Sequence, residues 1–208
     1  MSKLVIVTGA SRGLGLAICR QLLQAGYSVL ALARSQSDEL TQLQQQGLHF
    51  YAADLSELDN IPALCHQLTK QYGRPYALIN NAAVGYDGVL ATMHNTEINS
   101  LLNLNIQAPI LLSKYLLRPM LLNQSGRIVN ISSIIARTGF NGLSVYAASK
   151  AALEGFTKSL AREVGKAGIT VNCVAPGYMQ TEMTCSLQGD KLESVKRRSP
   201  LGRAVSEA

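Results

Sequence analysis

Short apolar runs alternate with longer stretches of mixed polarity along the whole chain. Strands are expected where the runs are aliphatic and only a few residues long: Leu4–Thr8, Ser28–Ala33, Leu48–Ala53, Ala77–Asn80, Arg127–Ser132 and Ile169–Val174. Between them the apolar positions recur at helical spacing, near Leu14–Ala25, Asp38–Gln46, Leu58–Tyr72, Thr96–Leu122 and Val145–Val164. Strands that are apolar along their whole length are covered on both faces, and strand–helix alternation joins them in parallel. The expected fold is therefore α/β, a doubly wound parallel sheet with helices on both faces. No repeat, low-complexity tract or linker interrupts the pattern, so residues 1–208 read as a single domain. The C-terminal segment is polar and basic, and no further strand is expected in it.

Composition narrows the class. Hydrophobic residues make up 47% and charged residues 15%, which sets aside a disordered or tail-rich chain. The net charge of +6 suits anionic ligands, but no dense basic stripe interleaved with aromatics marks a nucleic-acid surface. Cys19, Cys65, Cys173 and Cys185 form no CxxC pair, and His49, His66 and His94 are scattered, so no metal site is expected. No apolar run is long enough to span a bilayer. The chain enters its first strand almost at once, with no signal-peptide pattern, and a cytoplasmic, soluble enzyme is expected.

The candidate chemistry begins after the first strand. Thr8-Gly9-Ala10-Ser11-Arg12-Gly13-Leu14-Gly15 leaves that strand and opens a helix. Glycines there permit a tight turn and close approach of backbone to a pyrophosphate, and the helix N-terminus offers N–H groups to it. Glycines also end strands for purely structural reasons; the strand-before, helix-after context favours the dinucleotide. The second strand ends in Ala33-Arg34-Ser35 instead of a carboxylate that would bind the ribose hydroxyls. Arg34 with Arg12 suits a 2′-phosphate, so NADP(H) is the expected cofactor, against the alternative that both are plain surface charges.

Tyr146 and Lys150 lie four apart in a helical segment and share one face of it. A neighbouring ammonium stabilises tyrosinate, which would bring the phenol toward working pH as a proton donor or acceptor. Such a pair alone arises easily by chance, and its weight comes from its surroundings.

Those surroundings resemble the short-chain dehydrogenase/reductase family over essentially the whole chain. Thr8 to Gly15 is similar to the family's TGxxxGxG loop, Asp54-Leu55 to its adenine contact and Asn80-Asn81-Ala82-Ala83 to its NNAG motif. Asn105 resembles the helix asparagine of the catalytic tetrad, and Ser133, not Ser132, its serine. Pro176-Gly177 with Thr181 resembles the PGxxxT element that meets the nicotinamide carboxamide. The resemblance implies a Rossmann-type fold, catalytic roles for Asn105, Ser133, Tyr146 and Lys150, and NADP(H) held by Gly9, Ser11, Arg12, Gly13, Leu14, Gly15, Arg34, Asp54, Leu55, Asn81, Ala82, Tyr146, Lys150, Pro176, Gly177 and Thr181. Asn105 would act through its backbone and a water, linking Lys150 to solvent.

Ser144 to Ala151, Val174 to Tyr178 and Pro200 to Arg203 resemble most the 3-oxoacyl-[acyl-carrier-protein] reductases and related carbonyl reductases. The implied reaction reduces a carbonyl to a hydroxyl on a 3-oxoacyl thioester, or alternatively on a free ketone, quinone or sugar. An acidic acyl carrier protein would suit Lys191, Lys196, Arg197 and Arg198, although Asn123-Gln124-Ser125 and Lys166-Ala167-Gly168 stand where such reductases often carry basic residues. The family continues beyond PLGR with a helix and a seventh strand, so the final family strand is expected to be absent. From this a third reading follows, a non-catalytic chain that binds NADPH or a sister subunit. Pairing of the helices around Thr96–Leu122 and Val145–Val164 would make a homo-oligomer, a dimer or tetramer.

Overall fold

Every residue of β1 (Leu4–Thr8) is buried, and its alternate side chains enter two different cores. Leu4 and Ile6 pack on one face with Leu30, Leu32, Leu78 and Ile128; Val5 and Val7 pack on the other with Val29, Ala31 and Ile79. The computed structural model describes residues 2–179. In it β1 is joined by β2 (Ser28–Ala33), β3 (His49–Ala52), β4 (Ala77–Asn80), β5 (Gly126–Ile131) and β6 (Ile169–Val174) in one parallel sheet, ordered β3-β2-β1-β4-β5-β6. Val5 is flanked by Val29 on one side and Ala77 on the other, so the winding reverses between β1 and β4. At such a switch point the crossovers diverge to opposite faces and leave a crevice at the carboxyl ends of the strands.

One face is covered by α1 (Gly13–Gln24) and α2 (Asp38–Gln45), through Leu16, Cys19, Leu40 and Leu43. Helix α2 starts where the Ser37 hydroxyl accepts the Leu40 N–H at 3.2 Å, with Asp38 and Glu39 at its positive end. The other face carries α3 (Ile61–Tyr72), then α4 (Asn95–Leu102), α5 (Ala108–Leu122), the single turn α6 (Ile135–Thr138) and the long α7 (Ser144–Val164). Cys65, Leu112, Leu116 and Leu160 fill that second core.

The expected boundaries need correction in several places. The tight turn Leu58–Asn60 precedes α3 instead of belonging to it. Strand β3 is shorter at both ends than its apolar run, and β5 begins and ends one residue earlier than expected. The run Thr96–Leu122 is not one helix: a widened π turn over Asn103–Gln107 separates α4 from α5. There the Ala108 N–H reaches back five residues to the Asn103 carbonyl, and Pro109 has no N–H to give Asn105. Among the described residues no helix is long and apolar enough to cross a membrane.

Candidate active site

The crevice at the switch point is walled first by the loop from β1 to α1. Gly9 and Gly13 take φ of +64° and +54°, in the left-handed region that glycine enters without strain. A Cβ on Gly9 would stand 2.8 Å from the Ala82 Cα, and one on Gly15 would lie 2.2 Å from the Gly9 carbonyl oxygen. The loop is therefore pressed against the residues that follow β4. Thr8 makes that joint: its hydroxyl accepts the Asn81 and Ala82 N–H groups, each at 2.9 Å, and donates to the Ile79 carbonyl at 3.3 Å. The Asn81 amide donates to the Thr8 and Gly9 carbonyls at 2.9 and 3.1 Å. Among the described residues no side chain caps the start of α1. First-turn N–H groups of a helix without a cap suit a phosphate, so this cradle fits the expected dinucleotide.

Arg34 follows β2 and is exposed, as are Ser35 and Arg12. Asp54 lies past β3, where the Ser56 hydroxyl and N–H donate to its Oδ1 at 2.6 and 2.9 Å. Those bonds, with a smaller contribution from Arg34, hold its carboxyl below the usual range. Leu55 is buried in the core beside it. Ser11 is tied through its carbonyl to the Ser37 hydroxyl at 2.6 Å.

Across the crevice, Tyr146 and Lys150 rise from the first turns of α7. Lys150 is 3% exposed, and its Nζ donates to the Ile131 carbonyl at 2.8 Å while standing 5.6 Å from the Tyr146 ring centre. Burial pulls its pKa down to about 8, with Cys173 opposing. The Ser133 side chain lies close enough to the Tyr146 phenol to lower its pKa. The expected lowering of the phenol is reversed here: burial pushes its pKa above the ordinary value, and the nearby Ser133 offsets only part of that. Ser133 also accepts the Ile135 N–H at 3.2 Å, whereas the Ser132 hydroxyl points the other way, to the Lys150 carbonyl and the Glu154 carboxylate, both at 3.2 Å.

Asn105 sits in the widened turn, fully buried. Its amide closes a pair of bonds with Val84, accepting the N–H at 2.9 Å and donating to the carbonyl at 2.8 Å, and donates to Ser149 Oγ at 3.2 Å. Ser149 in turn donates to the Tyr146 carbonyl at 2.7 Å. The side chain thus joins the loop after β4 to α7, and Pro109 leaves the Asn105 carbonyl without its usual helical donor. Pro176 and Gly177 follow β6, where the Pro176 carbonyl accepts the Ile134 N–H at 3.0 Å. Thr181 and the basic residues Lys191, Lys196, Arg197 and Arg198 lie outside the described residues.

Sequence reasoning missed Thr8, Ser149 and Glu154. Thr8 opens the TGxxxGxG-like loop, but its hydroxyl's joint to Asn81 and Ala82 depends on β4 lying alongside. Glu154 had one, because Tyr146, Lys150 and Glu154 recur every four residues on α7.

A glycine cradle at the reversal of a parallel sheet is how Rossmann-type dinucleotide enzymes are built. Beside it stand the buried Lys150 and, on the same helix, Tyr146 with Ser133 near its phenol. A family model described as short chain dehydrogenase matches residues 3–192, and the chain belongs to that family, as an oxidoreductase. It is 39% identical over 206 residues to the 3-oxoacyl-[acyl-carrier-protein] reductase FabG of Pseudomonas aeruginosa, covering 97% of this chain and 83% of that protein. It is 38% identical over 204 residues to carbonyl reductase family member 4 of Xenopus tropicalis, covering 98% and 85%. Among solved structures, a putative NAD(P)-dependent gluconate 5-dehydrogenase from Beutenbergia cavernae with bound NADP superposes with a TM-score of 0.91. It is 31% identical and covers 99% of this chain and 84% of its own.

Proposed function

We propose that the protein is an NADPH-dependent reductase of a 3-oxoacyl thioester. The observation that carries the reading is the convergence of Tyr146 and Ser133 beside a buried Lys150. When bound, the nicotinamide supplies the hydride that goes to the carbonyl carbon. Tyr146 gives the carbonyl oxygen its proton, and a phenol whose pKa is raised stays protonated and ready to give it. Ser133 donates to the same oxygen and holds it within reach of the phenol. Lys150 binds the ribose hydroxyls with the donors that Ile131 does not take. Asn105 keeps the loop after β4 and the Tyr146 turn of α7 in register.

Preference for NADP over NAD is supported by Arg34 and Ser35 at the end of β2, where no carboxylate would repel a phosphate. An acyl substrate is supported by the exposed apolar Val89, Leu90 and Ile134. They lie on the loops after β4 and β5, which meet where the Gly88 N–H donates to the Gly142 carbonyl at 3.0 Å. The names of the reductase relatives favour the same substrate, carried by an acidic acyl carrier protein. Assembly as a homo-oligomer is supported by the exposed small residues Ala148, Ala151, Ala152 and Gly155 on α7, which permit close approach of a second helix.

The test is NADPH oxidation with an acetoacetyl thioester, a quinone and a simple diketone. A large preference for the thioester is expected, and equal rates on all three would favour a general carbonyl reductase. Tyr146→Phe should abolish turnover and leave NADPH affinity nearly intact; turnover at the wild-type rate would overturn the mechanism.

A further inference from the structure

Glu154 is nearly buried on α7, two turns beyond Tyr146 and one beyond Lys150. Its two oxygens go to two residues of the segment after β5. Oε1 takes the Ser132 hydroxyl at 3.2 Å, and Oε2 pairs with the Arg137 Nε at 3.1 Å. Ser133 lies between those two attachment points, on a segment otherwise held by the Ser132 hydroxyl to the Lys150 carbonyl and by the backbone bonds Ser132 N–H to Val174 O and Ile134 N–H to Pro176 O. One carboxylate therefore fixes both flanks of Ser133 to the helix that carries Tyr146 and Lys150.

We infer that Glu154, with Arg137, is a positioning residue: it clamps the 132–137 segment onto α7 and so holds the Ser133 hydroxyl in place beside Tyr146. The inference rests on the catalytic reading above. Glu154 touches neither the phenol nor the ammonium in hydrogen-bond range; its influence passes through Ser133. The carbonyl oxygen of a substrate must meet Ser133 and Tyr146 together, so slack between segment and helix lowers the fraction of bound complexes in reacting geometry. Such slack reduces kcat while leaving the dinucleotide cradle, built on Thr8, Gly9 and Asn81 at the other side of the crevice, as it is.

Glu154→Leu removes both attachments, and Glu154→Gln keeps an acceptor for Ser132 but loses the ion pair. With NADPH and an acetoacetyl thioester, kcat should fall about tenfold in Glu154→Gln and about a hundredfold in Glu154→Leu, the scale expected for ångström misplacement. KM for NADPH should stay within about twofold, since the cradle is untouched. In a Ser133→Ala background, Glu154→Leu should cost nothing further, because the group it positions is gone. Amide hydrogen exchange of the protein alone supplies a second readout: residues 132–138 should lose protection in Glu154→Leu while β1 and α1 keep theirs. Unchanged kcat, an equal loss with and without Ser133, or unchanged protection at 132–138 overturns the clamp. Tyr146→Phe in the same assay keeps the two questions apart. Turnover by that variant sinks the catalytic reading, whereas the exchange result judges the clamp by itself.

Discussion

Replacing Lys150 by methionine should make the protein more stable at neutral pH while removing its activity. The ammonium is 3% exposed, and among the described residues its hydrogen bond goes to the Ile131 carbonyl. Burial lowers its pKa from 10.5 to about 8. At 1.36 kcal/mol per unit, the charged lysine costs the fold about 3 kcal/mol at pH 7. Methionine fills a similar space without charge, and the unpartnered Ile131 carbonyl takes back about 1–2 kcal/mol of the gain. Lys150→Met should therefore be about 1–2 kcal/mol more stable than wild type at pH 7. Between the folded value near 8 and the unfolded value of 10.5, the unfolded chain binds the proton and the folded one does not. Stability of the wild type then rises with pH across that window, and the variant has no such rise. Urea unfolding of both proteins at intervals from pH 7 to above 10 reads the difference, with the Tyr146 titration common to the pair. The advantage should shrink through the window and reverse above it. A gap that stays constant with pH, or a variant less stable at pH 7, would refute the burial cost.

Two further substitutions probe the cofactor side. Arg34→Asp should lower the ratio of kcat/KM for NADPH over NADH by at least about tenfold, since it exchanges the proposed phosphate partner for a repelling carboxylate; an unchanged ratio would remove Arg34 from the proposed 2′-phosphate site. Thr8→Val keeps the shape but leaves the Asn81 and Ala82 N–H groups without their acceptor, and urea unfolding should show a loss of about 2–4 kcal/mol. A loss well under 1 kcal/mol would show that another acceptor replaces the hydroxyl.

Much of the fold was legible because its signals are local. Continuous apolar strands and helical spacing are set by neighbours within a turn or two, and β1, β2, β4 and β6 lie where their runs predict. The glycine loop was legible for the same reason, since a left-handed turn between strand and helix demands glycine at Gly9 and Gly13. The break in Thr96–Leu122 was not, because one widened turn barely disturbs a hydrophobic period. Pro109 was the available sign, and it sat within an otherwise unbroken apolar pattern.

The spacing of Tyr146 and Lys150 on one helix face was determined by the sequence alone. Their protonation behaviour was decided only by the tertiary structure, and for the phenol it runs opposite to what the pair by itself suggests. Spacing is a property of one helix, whereas desolvation sums over every element packed around the group. In the same way Glu154 reaches Ser132, 22 residues away in the chain, and Thr8 reaches Asn81, 73 residues away. Thr8 meets Asn81 because parallel strands distant in sequence end side by side, and Glu154 meets Ser132 because α7 packs beside the end of β5; only the assembled fold brings them together.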